Sequence, residues 1–341
     1  MKLSVIIPSY SRPDSLQRLL SELTRQAVDE AMEVLVVDDG SPTPLGGVVQ
    51  KVAAHAPFRM WDERVPHAGP IAARNVGARY ARGDYLLYLD DDIGVEPNFI
   101  QAHIDAHRQI GRGAVSALYV DCALLKPPSL RRWYDDRSQS WKETLRPHLR
   151  AAGTGIYRVP GQLLSSTNVS LRRHDFLAIG GFDEAYGVPS CEDMDLGIRL
   201  ERAGVPIYRI ETTQPRHIET RLNLPAICRR QRRGMTATVR LVRRFPEVFG
   251  TPAIERVNGP LHLRQDPLRL SLKKLVKSAL GVGCVQPGVL FLAAVFGRLP
   301  LPSVFHDVVY DAIIGAHIQR GWREGLKLWG GVAPHSEDAP P

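Results

Sequence analysis

The sequence predicts an α/β fold on a doubly wound, mostly parallel sheet, with a helical extension at its C-terminal end. Three observations carry this. Over the first 110 residues, four short apolar runs alternate with stretches of helical periodicity. Polar clusters at residues 8–12, 38–41 and 90–92 each follow one of those runs, where sheets of this class bind ligands. Past residue 217 the strand pattern gives way to basic, helical sequence.

The elements follow in order. Lys2–Ile7 is a β-branched strand stopped by Pro8-Ser9-Tyr10. Asp14 starts a helix to about Gln26, with Leu16, Leu19, Leu20 and Leu23 at helical spacing. Glu33–Val37 is a second strand, Gly46–His55 a helix and Phe58–Trp61 a third strand. Gly69-Pro70 opens a helix to about Arg82, since proline suits the first turn. Tyr85–Leu89 is a fourth strand, ended by Asp90-Asp91-Asp92, and Pro97–Ile110 is a helix. Residues 111–166 read as irregular. Ser166–Leu171 and Val205–Ile210 read as strands, with Ser190–Ala203 as a helix between them.

The 341 residues, 44% hydrophobic and 23% charged, exclude a disordered chain, a collagen repeat and a disulfide miniprotein. Four scattered cysteines (Cys122, Cys191, Cys228, Cys284) form no Cys-x-x-Cys pair, and residues 1–7 carry no secretory signal pattern. Both point to a reducing, cytoplasmic setting. No base is in view to activate Cys191, which reads as inert. His103 and His107 lack a zincin's Glu and read as a helix face.

The motifs that are absent narrow the chemistry. There is no Gly-x-x-x-x-Gly-Lys phosphate loop and no Gly-x-Ser-x-Gly elbow, and no Gly-x-Gly-x-x-Gly follows the first strand. Asp90-Asp91-Asp92 is the chemical centre. Along a strand Asp90 and Asp92 point to one side. Two such carboxylates about 4 Å apart repel by roughly 4 kcal/mol at an effective dielectric near 20. A hard divalent cation relieves that repulsion, and Mg²⁺ typically completes its shell with phosphate oxygens and water. A solvated loop or helix-capping acids are the plainer alternative.

The motifs Ser4-Val-Ile-Ile-Pro-Ser-Tyr10, Val36-Val-Asp-Asp-Gly-Ser41, Ala73-Arg-Asn-Val-Gly77 and Tyr88-Leu-Asp-Asp-Asp92 resemble the family 2 glycosyltransferases of GT-A fold. Thr167-Asn-Val-Ser170, Gly180-Gly-Phe-Asp-Glu184 and Glu192-Asp-Met-Asp-Leu196 continue the resemblance, which covers about residues 3–217. It implies a metal-dependent, inverting transfer of sugar from a nucleotide-sugar, a UDP-sugar by resemblance, to an acceptor hydroxyl. By the same resemblance Pro8, Ser9, Tyr10, Asp39, Arg74 and Asp91 lie against the nucleotide. Asp90 and Asp92 hold Mn²⁺ or Mg²⁺, with His217 as a third ligand, and Asp193 is the base. The helix-dipole reading of Glu192 and Asp193 stands beside that one. Trp133, Tyr134, Trp141 and Glu192 are acceptor candidates, the three aromatics being equally good core material. Two alternatives are a nucleotidyltransferase and a non-catalytic GT-A-fold binding protein.

The expected organisation is a catalytic domain over 1–217, with a nucleotide-binding half at 1–110 and an acceptor half at 111–217. A basic helical region over 218–330 and a flexible tail over 331–341 follow. Residues 1–213 hold 25 Lys and Arg against 27 Asp and Glu, whereas residues 214–341 hold 19 against 9. The basic end calls for an anionic partner. Few aromatics lie among its arginines, so nucleic acid is not expected. The apolar stripe of Met235, Val239 and Val242 among arginines suits an anionic bilayer, as do Leu272, Leu275, Val276 and Ala279 among lysines. Residues 278–297 carry no charge and are long enough to span, but Gly281, Gly283 and Pro287 interrupt them. The expectation is a peripheral protein on the cytoplasmic face acting on a saccharide or lipid-linked acceptor.

Overall fold

The computed structural model describes residues 2–121, 125–187, 190–218, 222–249, 253–262 and 264–330. The expected tail and Cys122 lie outside them. The chain divides into two compact units: Met1–Cys122 with Trp141–Glu219, and Ala123–Ser140 with Thr220–Pro341.

The strands are β1 (Leu3–Ser9), β2 (Met32–Asp38), β3 (Arg59–Arg64), β4 (Tyr85–Leu89), β5 (Ile93–Gly94), β6 (Ala114–Ala117), β7 (Val120–Asp121), β8 (Arg150–Gly153), β9 (Ile156–Val159), β10 (Asn168–Arg172), β11 (Ile207–Ile210) and β12 (Arg216–His217). Nine form one sheet in the order β3-β2-β1-β4-β10-β6-β11-β9-β8. The pairs β1·β2, β1·β4 and β2·β3 are parallel, and β10 runs antiparallel to β4. The other three, β5-β12-β7, make a small second sheet.

The helices are α1 (Pro13–Leu23), α2 (Gly46–Ala53), α3 (Pro70–Tyr80), α4 (Phe99–Ile110), α5 (Pro128–Leu145), α6 (Arg173–Ala178), α7 (Glu192–Arg202), α8 (Leu224–Arg244), α9 (Pro246–Phe249), α10 (Ala253–Asn258), α11 (Leu268–Leu280), α12 (Gln286–Phe296) and α13 (Ser303–Trp329). The first unit's core lies between sheet and helices. Leu16, Leu19, Leu20 and Leu23 of α1 bury against Val5, Ile7, Val34 and Val36. Gly77 lets α3 approach β1, because a Cβ there would sit 2.3 Å from Ile6 Cγ2. Gly69, at φ +94°, turns the chain into α3. His103 and His107 are core residues that share the Ser170 hydroxyl at 2.8 Å each. Burial pushes them down to about 3 and about 4, so both are neutral.

In the second unit, α8 lies along α13. Thr236 Oγ1 donates to the Gly321 carbonyl at 3.1 Å, and Arg232 pairs with Glu324. The expectation for 111–217 as one half differs from this structure at residues 123–140. Leu125, Leu130 and Trp133 bury with Leu224, Ile227, Tyr310 and Ile313 of the helical unit.

Candidate active site

Each strand end contributes part of the site, and the loops beyond them hold it together. Asp39 follows β2 and is buried. Its carboxylate accepts from the backbone N–H groups of Ala68 (2.9 Å) and Gly69 (3.0 Å) and faces His67 Nδ1 at 2.8 Å. It therefore pins the loop entering α3. Tyr10 is exposed and stacks on His67 at 4.3 Å between ring centroids, leaving its other face to take a flat ring. Pro8 and Ser9 end β1 in register with Val37 and Asp38.

The acidic triplet follows β4. Ser9 Oγ donates to Asp91 at 2.6 Å. Arg12 Nη1 reaches Asp91 at 3.1 Å and Asp92 at 2.6 Å. Asp90 receives Arg74 Nη2 at 2.6 Å, and the same guanidinium gives Nη1 to Glu192 at 3.1 Å. Arg74 thus ties residue 90 to residue 192. It is buried, its Nε has no hydrogen-bond partner among the described residues, and it lies 5.5 Å from the Phe182 ring centroid. Burial alone would discharge it, but Asp90 and Glu192 outweigh that and raise its pKa further.

The small sheet explains how His217 arrives. It pairs with Ile93, and the Ile218 N–H donates to the Asp92 carbonyl at 2.8 Å. His217 Nε2 consequently lies 3.6 Å from Asp92 Oδ1. Burial works against Asp92's charge, yet His217 and Arg12 prevail and hold it at about 2. Asp90 is pushed up by burial and by Asp92, against the pull of Arg74 and His217. Asp91 rises to about 6 through burial, with Arg12 opposing.

Asp193 stands in the first turn of α7, half-buried. Burial first and the Glu192 charge second raise it to about 8, while the Met194 N–H and Arg74 hold it down. Glu192, an acceptor candidate in the sequence, has its carboxylate engaged within the protein. It is buried, accepting from Arg74, Ser166 Oγ (3.3 Å) and the Ser190 N–H (2.6 Å). Asn75 clasps the Gly180–Glu184 turn, trading hydrogen bonds with the Phe182 backbone at 2.9 and 3.0 Å.

Of the aromatic candidates, Trp133 is buried against Tyr310, with its Nε1 donating to Asp311 at 3.0 Å, and Tyr134 packs on the same cluster. Both serve the helical unit's core. Trp141 is 47% exposed. Two residues escaped assignment, His67 and Arg12. Arg12 lies within the polar cluster at 8–12, which is the one signal for it. Nothing in the sequence marks His67.

The donor set suits a divalent ion. Two repelling carboxylates and an imidazole are hard and borderline ligands of the kind that hold Mn²⁺ or Mg²⁺. As the side chains stand, no three acidic, His or Cys groups among the described residues form a ready cage.

Residues 4–154 match the family described as Glycosyl transferase family 2. Validoxylamine A glucosyltransferase of Streptomyces hygroscopicus subsp. limoneus is 30% identical over 223 residues, 60% of this chain and 49% of that protein. The uncharacterized glycosyltransferase YfnE of Bacillus subtilis is 27% identical over 242 residues, 60% of this chain and 62% of that one. The chain spans about half the length of the validoxylamine relative. Among solved structures, the mannosyltransferase PcManGT of Pyrobaculum calidifontis, in complex with GDP-Man and Mn²⁺, superposes with a TM-score of 0.59 at 16% identity. That match covers 94% of this chain and 87% of that one. TarS 1–349 of S. aureus with UDP gives 0.51 at 16% identity, covering 100% and 98%. These structural likenesses speak for the fold. Residues 4–154 of this chain thus match glycosyl transferase family 2, and its sheet has the fold of those solved transferases.

Proposed function

We propose that the chain transfers a sugar from a nucleoside-diphosphate sugar, a UDP-sugar, to the hydroxyl of a saccharide or lipid-linked acceptor, with inversion. The observation that supports this most is the Arg74 link. One buried guanidinium joins the acidic triplet after β4 to the first turn of α7, 118 residues after Arg74. It brings a phosphate-binding end and a base-bearing end together.

In this reading Tyr10 stacks on the base, with Pro8, Ser9, Asp39 and Asp91 shaping its loop. Arg74 lies beside the nucleotide portion. Asp90, Asp92 and His217 would hold Mn²⁺ or Mg²⁺, which when bound neutralises the charge on the departing diphosphate. Asp193 takes the proton from the acceptor oxygen as that oxygen attacks the anomeric carbon. The anomeric bond to the diphosphate breaks on the opposite side, so configuration inverts. Glu192 orients Arg74 and adds its charge to the burial that keeps Asp193 basic. The basic helical unit suits an anionic membrane surface on the cytoplasmic side. No helix among the described residues is long and apolar enough to cross a membrane.

The test incubates the purified chain with UDP- and GDP-sugars, Mn²⁺ and a hydroxyl acceptor, and identifies the released nucleotide. Release of the nucleoside diphosphate is expected. Pyrophosphate as the product would replace this reading with nucleotidyl transfer. A folded chain that binds no sugar nucleotide under any metal condition would leave only a non-catalytic binding role.

A further inference from the structure

Helix α11 is inside out. Leu268, Leu272, Leu275 and Val276 recur at i, i+4, i+7 and i+8, and all face outward, with Leu268 86% exposed. The polar side is the buried one. Lys274 Nζ donates to the Pro260 carbonyl (2.8 Å) and to Asp266 (2.7 Å), and Lys277 Nζ to Asn258 Oδ1 (3.0 Å). A helix in water hides its leucines and shows its lysines, so this one is built for a different outer medium.

The next two helices continue the theme. On α12, Phe291 and Leu292 are 69% and 65% exposed, and at the start of α13 Val304, Phe305 and Val308 are exposed too. This run greatly exceeds the scattered apolar residues of an ordinary surface. The charge around it has one sign. Residues 267–306 contain no Asp or Glu, while Arg269, Lys273 and Arg298 are exposed among the apolar side chains. The whole unit holds 22 Lys and Arg against 10 Asp and Glu, a formal +12. A second copy would bring that charge against itself, whereas an anionic lipid surface neutralises it and receives the apolar side chains.

We propose that the outward faces of α11, α12 and the start of α13 insert into the headgroup and upper acyl region of an anionic bilayer, with Phe291 and Leu292 as the deepest wedge. This rests on the membrane-surface reading above and changes its location. In the Arg-rich helix α8, to which the sequence also pointed, Val239 of the apolar stripe is buried and Met235 and Val242 are half-buried, so that stripe offers lipid far less than α11 does.

The experiment is co-sedimentation of the full chain with phosphatidylglycerol vesicles and with phosphatidylcholine vesicles, for wild type, Phe291→Ser/Leu292→Ser and Arg229→Gln/Arg230→Gln. Wild type is expected on the anionic vesicles only. The serine double variant should lose at least tenfold in binding while its melting temperature is unchanged, because both side chains already face outward. In a second measurement, Phe291→Trp should be quenched by vesicles brominated on the acyl chains. Binding that survives the serine variant and disappears with the glutamine variant would overturn the inference and keep the membrane reading, as adsorption through α8. No binding to either vesicle would overturn both. A dimer in solution that the serine variant dissociates would assign the face to a second copy and overturn the inference. Sugar transfer, read separately, decides the proposed reaction in every case.

Discussion

In the first unit a buried cation lies between two carboxylates, whereas in the second two buried lysines lie beneath a helix whose leucines face out. Arg74 meets Asp90 and Glu192 directly. Among the described residues Lys277 meets the neutral Asn258, and Lys274 meets Asp266. Buried charge has two uses here. At the strand ends one guanidinium is shared by two carboxylates that lie far apart in sequence. In the helical unit the ammonium groups fill the inward side of a helix whose leucines face out. Removing each charge in turn separates the two uses.

The largest effect is expected at the proposed base. Asp193→Asn should lower kcat by about 10²–10⁴-fold, the usual worth of a positioned base, with donor affinity kept. Wild-type kcat/KM should rise with pH and level off above about 8, where Asp193 has ionised. Stability moves the other way. A carboxyl raised in the folded state contributes stability that is full below its unfolded value near 3.8 and is lost as pH rises through about 8. The Asn variant should lack that decline in pH-dependent urea melts. A profile with no inflection in this range would take the role from Asp193.

Arg74→Met comes next. It strands Asp90 and Glu192 without their shared cation, and breaking a buried pair from one side costs about 3–5 kcal/mol. Urea denaturation at pH 7 reads this directly. His217→Ala should weaken Mn²⁺ binding by roughly 10–100-fold in a titration followed by Mn²⁺ spectroscopy, the range typical for groups that orient and complete a site. Unchanged Mn²⁺ affinity would reduce His217 to a partner of Asp92. Lys277→Met is the smallest. It leaves no opposite charge stranded, so stability at pH 7 should stay within about 1 kcal/mol of wild type. Burial and the nearby Lys273 lower Lys277 to about 8. Wild-type stability should therefore rise between about pH 8 and the ordinary lysine value of 10.5, and the Met variant should lose that rise. A loss from Lys277→Met comparable to that from Arg74→Met would erase the contrast between the units.

What the sequence reveals depends on how local each cause is. Strands β1 to β4 and the helices between them are legible because their apolar periods are strong and their ends carry Pro, Asp and Gly. The strands β6, β8 and β9 fall in the stretch read as irregular, since each is four residues long and β8 is exposed throughout. Strands β5, β7 and β12 have two residues apiece, and no periodicity exists at that length. Their pairing is nonetheless what brings His217 to Asp92, so that residue was reachable only through the family resemblance. The partner of Glu192 is hidden for a different reason: it is Arg74, 118 residues earlier, and no local pattern marks that pair. Trp133 was equally open as stacking surface or core, and only the packing of Tyr310 decides it. The apolar stripe of α11 was visible in sequence, but which way it faces was not.

The Arg74 bridge also sets an order of events during synthesis. Asp90 follows Arg74 by 16 residues and Glu192 by 118. A chain made from its N-terminus contains Arg74 and Asp90 while the second carboxylate does not yet exist. Closing the longer span costs loop entropy that only later contacts repay. The bridge is thus a completion mark: the guanidinium acquires its second partner only when the polypeptide has passed residue 192.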